Sequence, residues 1–414
     1  MARRRYAVVG TGSRAQRHVH AIAVEHADTC ELVAFCDVNR TRMNVHNERL
    51  AAPVPTYDAA DFLGMLDEQR VDVVVVTTVD RHHDSYIVAA LDAGRDVVTE
   101  KPMTTDVPSA RKILDAVHRN DGNVTVTFNY RYNPIHEKVR ALLADGAVGE
   151  IGSVHFEWLL DTRHGADYFR RWHRDKANSG GLMVHKATHH FDLLNWWVDS
   201  VPETVYAHGR LFFYGEENGK RHGYTDDKRF DIDLEQNDWL KKLYVDARHE
   251  DGYRRDQNPF EPGVSIEDDM SVLVRYASGA NLTYHLTAYS PWEGYRLMVN
   301  GSKGRLELEV VENSWVSGQD LSVDAGREQG WAKLSVQRLF EERVDVPVRY
   351  DRAGHGGADR RMVDALYGPP GQEDPLGRKA THHDGVLSLL TGFAAGRSFE
   401  TGRPVHVAEL LDLP

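Results

Sequence analysis

Tyr6-Ala7-Val8-Val9-Gly10-Thr11-Gly12-Ser13-Arg14-Ala15 decides the fold. A short apolar run ends in two glycines, and helical spacing follows from about Ala15 to His26. Such glycines let the backbone turn tightly and approach a pyrophosphate. The helix behind them offers unpaired N–H groups and the positive end of its dipole. Ala15 fills the third small-residue position. It is the strand–turn–helix setting, more than the glycines themselves, that marks Gly10, Gly12, Ser13 and Arg14 as candidate dinucleotide contacts.

Outward from this turn the pattern alternates. Leu32–Cys36, Val73–Val76, Asp96–Thr99 and Asn123–Phe128 read as strands, and Ser85–Ala93 and Pro108–Arg119 as helices. The four valines at 73–76 have no polar alternation, as expected of a strand covered on both faces. This alternation predicts an α/β, doubly wound parallel sheet, a Rossmann-type domain over 1–130. Asp37 closes the second strand, about 25 residues after Gly12. A carboxylate there accepts both ribose hydroxyls of an NAD-type cofactor and repels a 2′-phosphate. NAD is therefore the expected cofactor and NADP the less favoured one, with Arg40 and Arg42 close enough to soften the preference.

Past about residue 130 the character changes. A helix over Pro134–Asp145 leads into strand patterns at Ser153–Leu160, Val205–Phe213, Ser271–Tyr276, Asn281–Ala288, Arg296–Asn300 and Gly304–Val310. Long strands with few helices between them predict a second α/β domain, 131–414, with an open, mainly antiparallel sheet. The apolar segment Thr188–Val198 and the late segment Thr381–Gly396 read as helices. The stretch at about 215–262 is polar with few apolar anchors and reads as a surface insertion, a candidate oligomer contact.

Composition narrows the classes. The 414 residues carry a formal charge of −13, which disfavours nucleic acid and anionic membranes as partners. No apolar run approaches the roughly 20 residues of a membrane span. The 2 cysteines, Cys30 and Cys36, form no metal-type pair and no disulfide framework, as suits a reducing cytoplasm.

Three further stretches carry chemistry. Glu100-Lys101-Pro102 follows a strand at its carboxyl end, where open α/β sheets bind ligands. A lysine there can donate to a substrate oxygen and lower the pKa of a hydroxyl under oxidation. Gly180-Gly181-Leu182-Met183-Val184-His185-Lys186-Ala187-Thr188-His189-His190-Phe191-Asp192 places three histidines, a lysine and an aspartate within eight positions. If helical, His185, His189 and Asp192 share one face. That face could hold a proton-transfer site. It could also hold a metal, although two imidazoles are too few ligands and no metal is expected. Asp161–His173, with Tyr168, Trp172 and His173, mixes aromatic faces with polar donors. It suits a sugar ring or, equally, a loop crossing between domains. Gly354–Asp359 is a second glycine-rich turn that follows no strong strand, so it is not read as a nucleotide loop; it could close a substrate site.

Together these motifs resemble the Gfo/Idh/MocA oxidoreductases, the family of glucose–fructose oxidoreductase and inositol dehydrogenase. The resemblance runs over nearly the whole chain. It is carried by Gly10-Thr11-Gly12, Thr78–His83, Glu100-Lys101-Pro102, Phe128-Asn129-Tyr130-Arg131, the Gly180–Asp192 block and Gly301-Ser302-Lys303-Gly304, with the late helix and Thr401–Val405 behind it. It implies an NAD(H)-dependent transfer of hydride to or from a secondary hydroxyl of a sugar, glycoside or cyclitol. A homo-oligomer is expected on a separate ground, since an open sheet face usually needs cover. The resemblance also implies Lys101 and His189 as the groups facing substrate, with His185 and Asp192 tuning His189. Thr78, His83, Glu100 and Lys101 are expected at the cofactor, and Arg131, Tyr168, Trp172, His173 and Lys186 at the substrate. One departure stands out: the family often has aspartate where this chain has His185, and an apolar residue where it has Lys186. A glycoside-cleaving reaction with transient oxidation, and a non-catalytic cofactor sensor, are the alternatives.

Overall fold

The computed structural model describes residues 3–318, 329–352, 354–369 and 371–411. The chain forms two compact units that interleave along the sequence. The first comprises Met1–Phe128, Asp233–Asp256 and Arg360–Val386; the second comprises Asn129–Ile232, Gln257–Asp359 and Leu387–Pro414.

The first unit is built on six parallel strands: β1 (Arg4–Val9), β2 (Cys30–Cys36), β3 (Thr56–Tyr57), β4 (Val73–Val76), β5 (Asp96–Thr99) and β6 (Val124–Val126). Between them run α1 (Ala15–His20), α2 (Arg40–Asn47), α3 (Phe62–Glu68), α4 (His83–Asp92) and α5 (Val107–Asn120). The order across the sheet is β6-β5-β4-β1-β2-β3, with a short antiparallel strand, Ala380–Thr381, on the outer side of β6. The order therefore reverses between β1 and β4, which both continue in parallel register. Val8, Val9 and Val74–Val76 are fully buried, each contributing about 1.5–3 kcal/mol of apolar transfer. That continuous burial is why these strands show no polar alternation.

The second unit carries α6 (Pro134–Ala144) and a sheet made of β7 (Ile151–Asp161), β8 (Pro202–Arg210), β9 (Asp269–Tyr276), β10 (Asn281–Ser290), β11 (Glu293–Gly301), β12 (Gly304–Asn313), β13 (Trp331–Arg338) and β14 (Val344–Val346). Its order is β14-β13-β12-β11-β7-β10-β9-β8, closed at the β8 edge by Val405–His406. Every pairing is antiparallel except β7 with β10. Alternate residues point inward: Val154, Phe156, Trp158 and Leu160 on β7, and Leu282, Tyr284, Leu286 and Ala288 on β10. They meet α9 (Thr188–Val198), whose Trp197 packs edge-on to Phe156 at 6.0 Å.

Several expectations shift. The strand read over Val205–Phe213 ends at Arg210. The next amides, Phe212, Phe213 and Tyr214, instead donate to the Asp268 carboxylate at 2.7–2.9 Å. Asp161–His173 is helical over most of its length rather than a loop: Asp161 caps α7 (Thr162–Arg170) by accepting from the Arg163 and His164 amides. The polar 215–262 stretch holds more anchors than its composition suggests, with Phe230, Leu234, Leu243, Tyr244 and Phe260 all buried. Missed altogether were β13 and α10 (Ala358–Tyr367), whose Tyr367 ring packs edge-on to Tyr6. The late helix is α11 (His382–Thr401). Its Gly385 lies against Val126 and Met103, and its Gly392 comes so close that a Cβ would stand 2.5 Å from the Met183 carbonyl.

Candidate active site

The site-bearing part of the first unit is mostly backbone. Gly10 follows β1 with φ +85°, and a Cβ there would meet the Thr78 amide at 2.6 Å. Only glycine allows the β1 and β4 ends to close this tightly, at the point where the strand order reverses and dinucleotides bind. Asp37 ends β2 and accepts from the Thr11 amide and from Thr11 Oγ1 at 2.8 Å; its other oxygen accepts from the Asn39 amide at 2.8 Å. It thus ties the glycine turn to the tip of β2. Arg42 turns away from that tip. It is buried, pairs with Asp251 at 2.6 Å and donates to the Leu243 carbonyl. The softening expected of Arg42 beside Asp37 is therefore not supported.

Thr78 abuts Gly10, and the buried His83 ring lies between the carbonyls of Pro102 (2.8 Å) and Thr78 (3.2 Å). Burial pushes His83 below the usual imidazole value. It braces the β4 turn against the Lys101-Pro102 turn. Glu100 accepts from Arg14 Nε at 2.7 Å and sits 2.9 Å from His18 Nε2, while His18 Nδ1 meets the Tyr367 hydroxyl. Burial raises the Glu100 carboxyl, but Arg14 and His18 outweigh it and hold it far below the carboxylate range. Arg14 and Glu100 thus fix the turn around a half-buried Lys101 at the carboxyl end of β5. A nicotinamide dinucleotide fits this cradle: tight glycine turn, carboxylate at the β2 tip, reversal of strand order.

The second unit gathers side chains. The Gly180–Asp192 block is not one helix. α8 (Leu182–His185) stops, Lys186 and Ala187 turn, and α9 begins at Thr188. The expectation that His185, His189 and Asp192 share a helical face is corrected accordingly. His185 lies with the aromatics of α7 and of the turn after it, 4.2 Å from His173 and 5.7 Å from both Trp172 and Tyr168 between ring centroids. His189 stacks on Tyr130 at 4.4 Å. Asp192 forms a buried two-pronged pair with Arg131, at 2.9 Å to Nε and 2.6 Å to Nη2. Arg131 and Asp192 thus act as a clamp beneath α9.

Lys186 is buried, donates to the Tyr130 hydroxyl at 3.0 Å and stands over the Trp158 ring. Burial lowers its pKa, against the opposing pull of Glu293 and Glu312. Glu293 in turn meets His164 Nδ1 at 2.7 Å, and His164 Nε2 lies 3.2 Å from the Tyr168 hydroxyl. Tyr130 and Glu293 were absent from the expected site, and His164 falls within it only as part of the Asp161–His173 stretch. Tyr130 could have been found as the neighbour of Arg131. Glu293 begins β11 after Pro291-Trp292 and carries no local signal of burial. His355, in the second glycine-rich turn, packs toward Tyr130 with ring centroids 5.7 Å apart and pairs with Asp359. Among the described residues, no three His, Cys, Asp or Glu side chains gather as a metal would require. No helix among them is long and apolar enough to cross a membrane.

Residues 4–128 match the family described as "Oxidoreductase family, NAD-binding Rossmann fold", and residues 140–407 match "Oxidoreductase family, C-terminal alpha/beta domain". The chain is 35% identical over 415 residues to YteT of Bacillus subtilis (strain 168), a protein designated an oxidoreductase, covering 92% of each. It is 22% identical to the myo-inositol 2-dehydrogenase of Thermotoga maritima, over 98% of this chain and 99% of that one. Two solved structures share the fold. The aldose-aldose oxidoreductase of Caulobacter crescentus, crystallised with glycerol, has a TM-score of 0.65 at 17% identity, covering 98% of this chain and 100% of that one. The WlbA dehydrogenase of Bordetella pertussis, in complex with NADH and UDP-GlcNAcA, has a TM-score of 0.65 at 21% identity over 100% of both.

Proposed function

The chain belongs to the Gfo/Idh/MocA oxidoreductase family, and from that premise we propose that it moves hydride between NAD(H) and a secondary hydroxyl of a sugar, glycoside or cyclitol. The observation that carries the reading is the glycine turn at the reversal between β1 and β4. When bound, the nicotinamide supplies the hydride acceptor or donor. The chain supplies the rest. Asp37 accepts from the ribose hydroxyls. Lys101 donates to the reacting oxygen, and His189 takes its proton as the carbon is oxidised, or returns it in reduction. Tyr130 holds the His189 ring by stacking, and Lys186 fixes the Tyr130 hydroxyl. Tyr168, Trp172 and His173, gathered around His185, offer flat faces and polar edges to a ring substrate.

The outward positions of the large sheet are polar, as in Arg296 with Glu309 and His155 with Thr283, while Tyr206 and Leu273 also stand exposed. That face suits self-association, and the protein is read as a homo-oligomer. The test of function is direct. Purified protein with NAD⁺ and a panel of inositols, aldoses and methyl glycosides is expected to form NADH and a ketone on one class of substrate. Glycoside cleavage without net NADH would replace this reading by transient oxidation. No NADH and no cleavage with any of them, by folded protein that binds NADH, would remove it.

A further inference from the structure

The segment 233–256 has no role in the reading above, yet it packs on the cofactor cradle of its own unit. Trp239 meets His46 edge-on at 5.0 Å, and His46 Nε2 lies 3.1 Å from the Thr11 carbonyl. The Tyr244 hydroxyl accepts from the Ser13 amide at 2.8 Å and donates to Ser13 Oγ at 3.0 Å. Asp251 holds Arg42, and Asn39 Nδ2 donates to the Ala247 carbonyl at 2.9 Å. These contacts fix where Glu250 falls. Its carboxylate accepts from the Arg40 amide (2.5 Å), the Thr41 amide (2.8 Å) and the Thr41 hydroxyl.

Those amides open α2, three and four residues beyond Asp37. A dinucleotide whose ribose is held by Asp37 would direct a 2′-substituent toward this end of β2. Free helix-opening amides there would welcome a phosphate. Here they are already satisfied by a negative charge supplied from far along the chain. Burial pushes the Glu250 carboxyl up, but the Thr41 hydroxyl and the two amides outweigh it and keep its pKa below the usual value.

We propose that Glu250, positioned by the 233–256 segment, is a specificity-determining residue that rejects a 2′-phosphorylated dinucleotide. It acts with Asp37 and rests on the NAD reading given above. A phosphate approaching α2 would have to displace a carboxylate and face its charge. A 2′-hydroxyl has no such conflict. Of the two nearby arginines, Arg42 is committed to Asp251, while Arg40 lies exposed.

The experiment compares dissociation constants for NADH and NADPH by fluorescence titration, without substrate. Glu250→Gln removes the charge and keeps one oxygen, which can accept from one of the two amides. Glu250→Ser also opens space, and both are checked for a native melting transition. The expected result is NADPH binding tightened about tenfold in each variant, with NADH binding changed less than about threefold. Wild-type protein that prefers NADH, but whose preference neither variant moves, overturns the role of Glu250 alone. Wild-type protein that holds NADPH as tightly as NADH overturns the cofactor reading, and the inference with it.

Discussion

The two units supply candidate residues of different kinds. In the first unit the proposed surface is mostly backbone: the Gly10–Ser13 turn and the Thr78 amide it abuts. In the second it is side chain: His189 on Tyr130, Lys186 on the Tyr130 hydroxyl, Arg131 on Asp192. A backbone surface needs particular residues only where the chain must bend, so it is written locally and in order. A side-chain surface draws one residue from each of several elements. Its members need share nothing in sequence except the fold that assembles them.

This contrast can be broken most directly at His189. Exchange for alanine is expected to lower kcat by about 10²–10⁴-fold while NADH affinity stays within about threefold. Lys101→Ala should behave alike, and the double variant should lose less than the product, as the proposal that both groups serve one proton transfer requires. A large loss of NADH binding in His189→Ala would mean that the two kinds of surface are not separable.

The next effect is on stability. Asp192→Ala removes the carboxylate that pairs with the buried Arg131, at an expected cost of about 3–5 kcal/mol in urea unfolding. Changing both residues, Arg131→Met with Asp192→Leu, should recover much of that loss, although not the activity. Equal losses in the single and double variants would show that the pair is not what holds α9 in place.

The smallest effect sharpens the comparison with one histidine from each unit. Burial pushes His46 and His136 down to about 4. Each is therefore neutral in the folded protein at a pH where the unfolded chain binds a proton. Stability from each is fully present above about pH 6.5 and falls as the pH drops toward 4, at about 1.4 kcal/mol per pH unit. His46→Gln and His136→Gln should each flatten the acid side of the stability profile. Unchanged slopes would show that neither ring stays neutral in the folded state.

The sequence was most legible where backbone did the work. The β1 turn, β4 and β5 lie where their apolar runs and glycines placed them, because a strand covered on both faces leaves a continuous apolar signature. The geometry of the histidine block was not legible. Nothing in Val184-His185-Lys186-Ala187-Thr188 announces that α8 stops and α9 restarts, so Asp192 was assigned to His189 when its carboxylate grips Arg131. Glu250 and Tyr244 were illegible for another reason. They sit in a polar stretch whose role depends on packing against residues some two hundred positions earlier.

That interleaving also sets a clock. His18 and Tyr367, joined by a hydrogen bond, are 349 positions apart in the chain. The strand Ala380–Thr381 seals the β6 edge later still. At roughly 5–20 residues per second of synthesis, the first six strands emerge early and then wait, with the β6 edge and the Tyr6 ring uncovered, while nearly the whole second unit is made. The nucleotide-binding half, first to be translated, is among the last parts to be finished. A fragment cut at residue 128 would present to the cell an open strand edge in place of a smaller cofactor-binding protein.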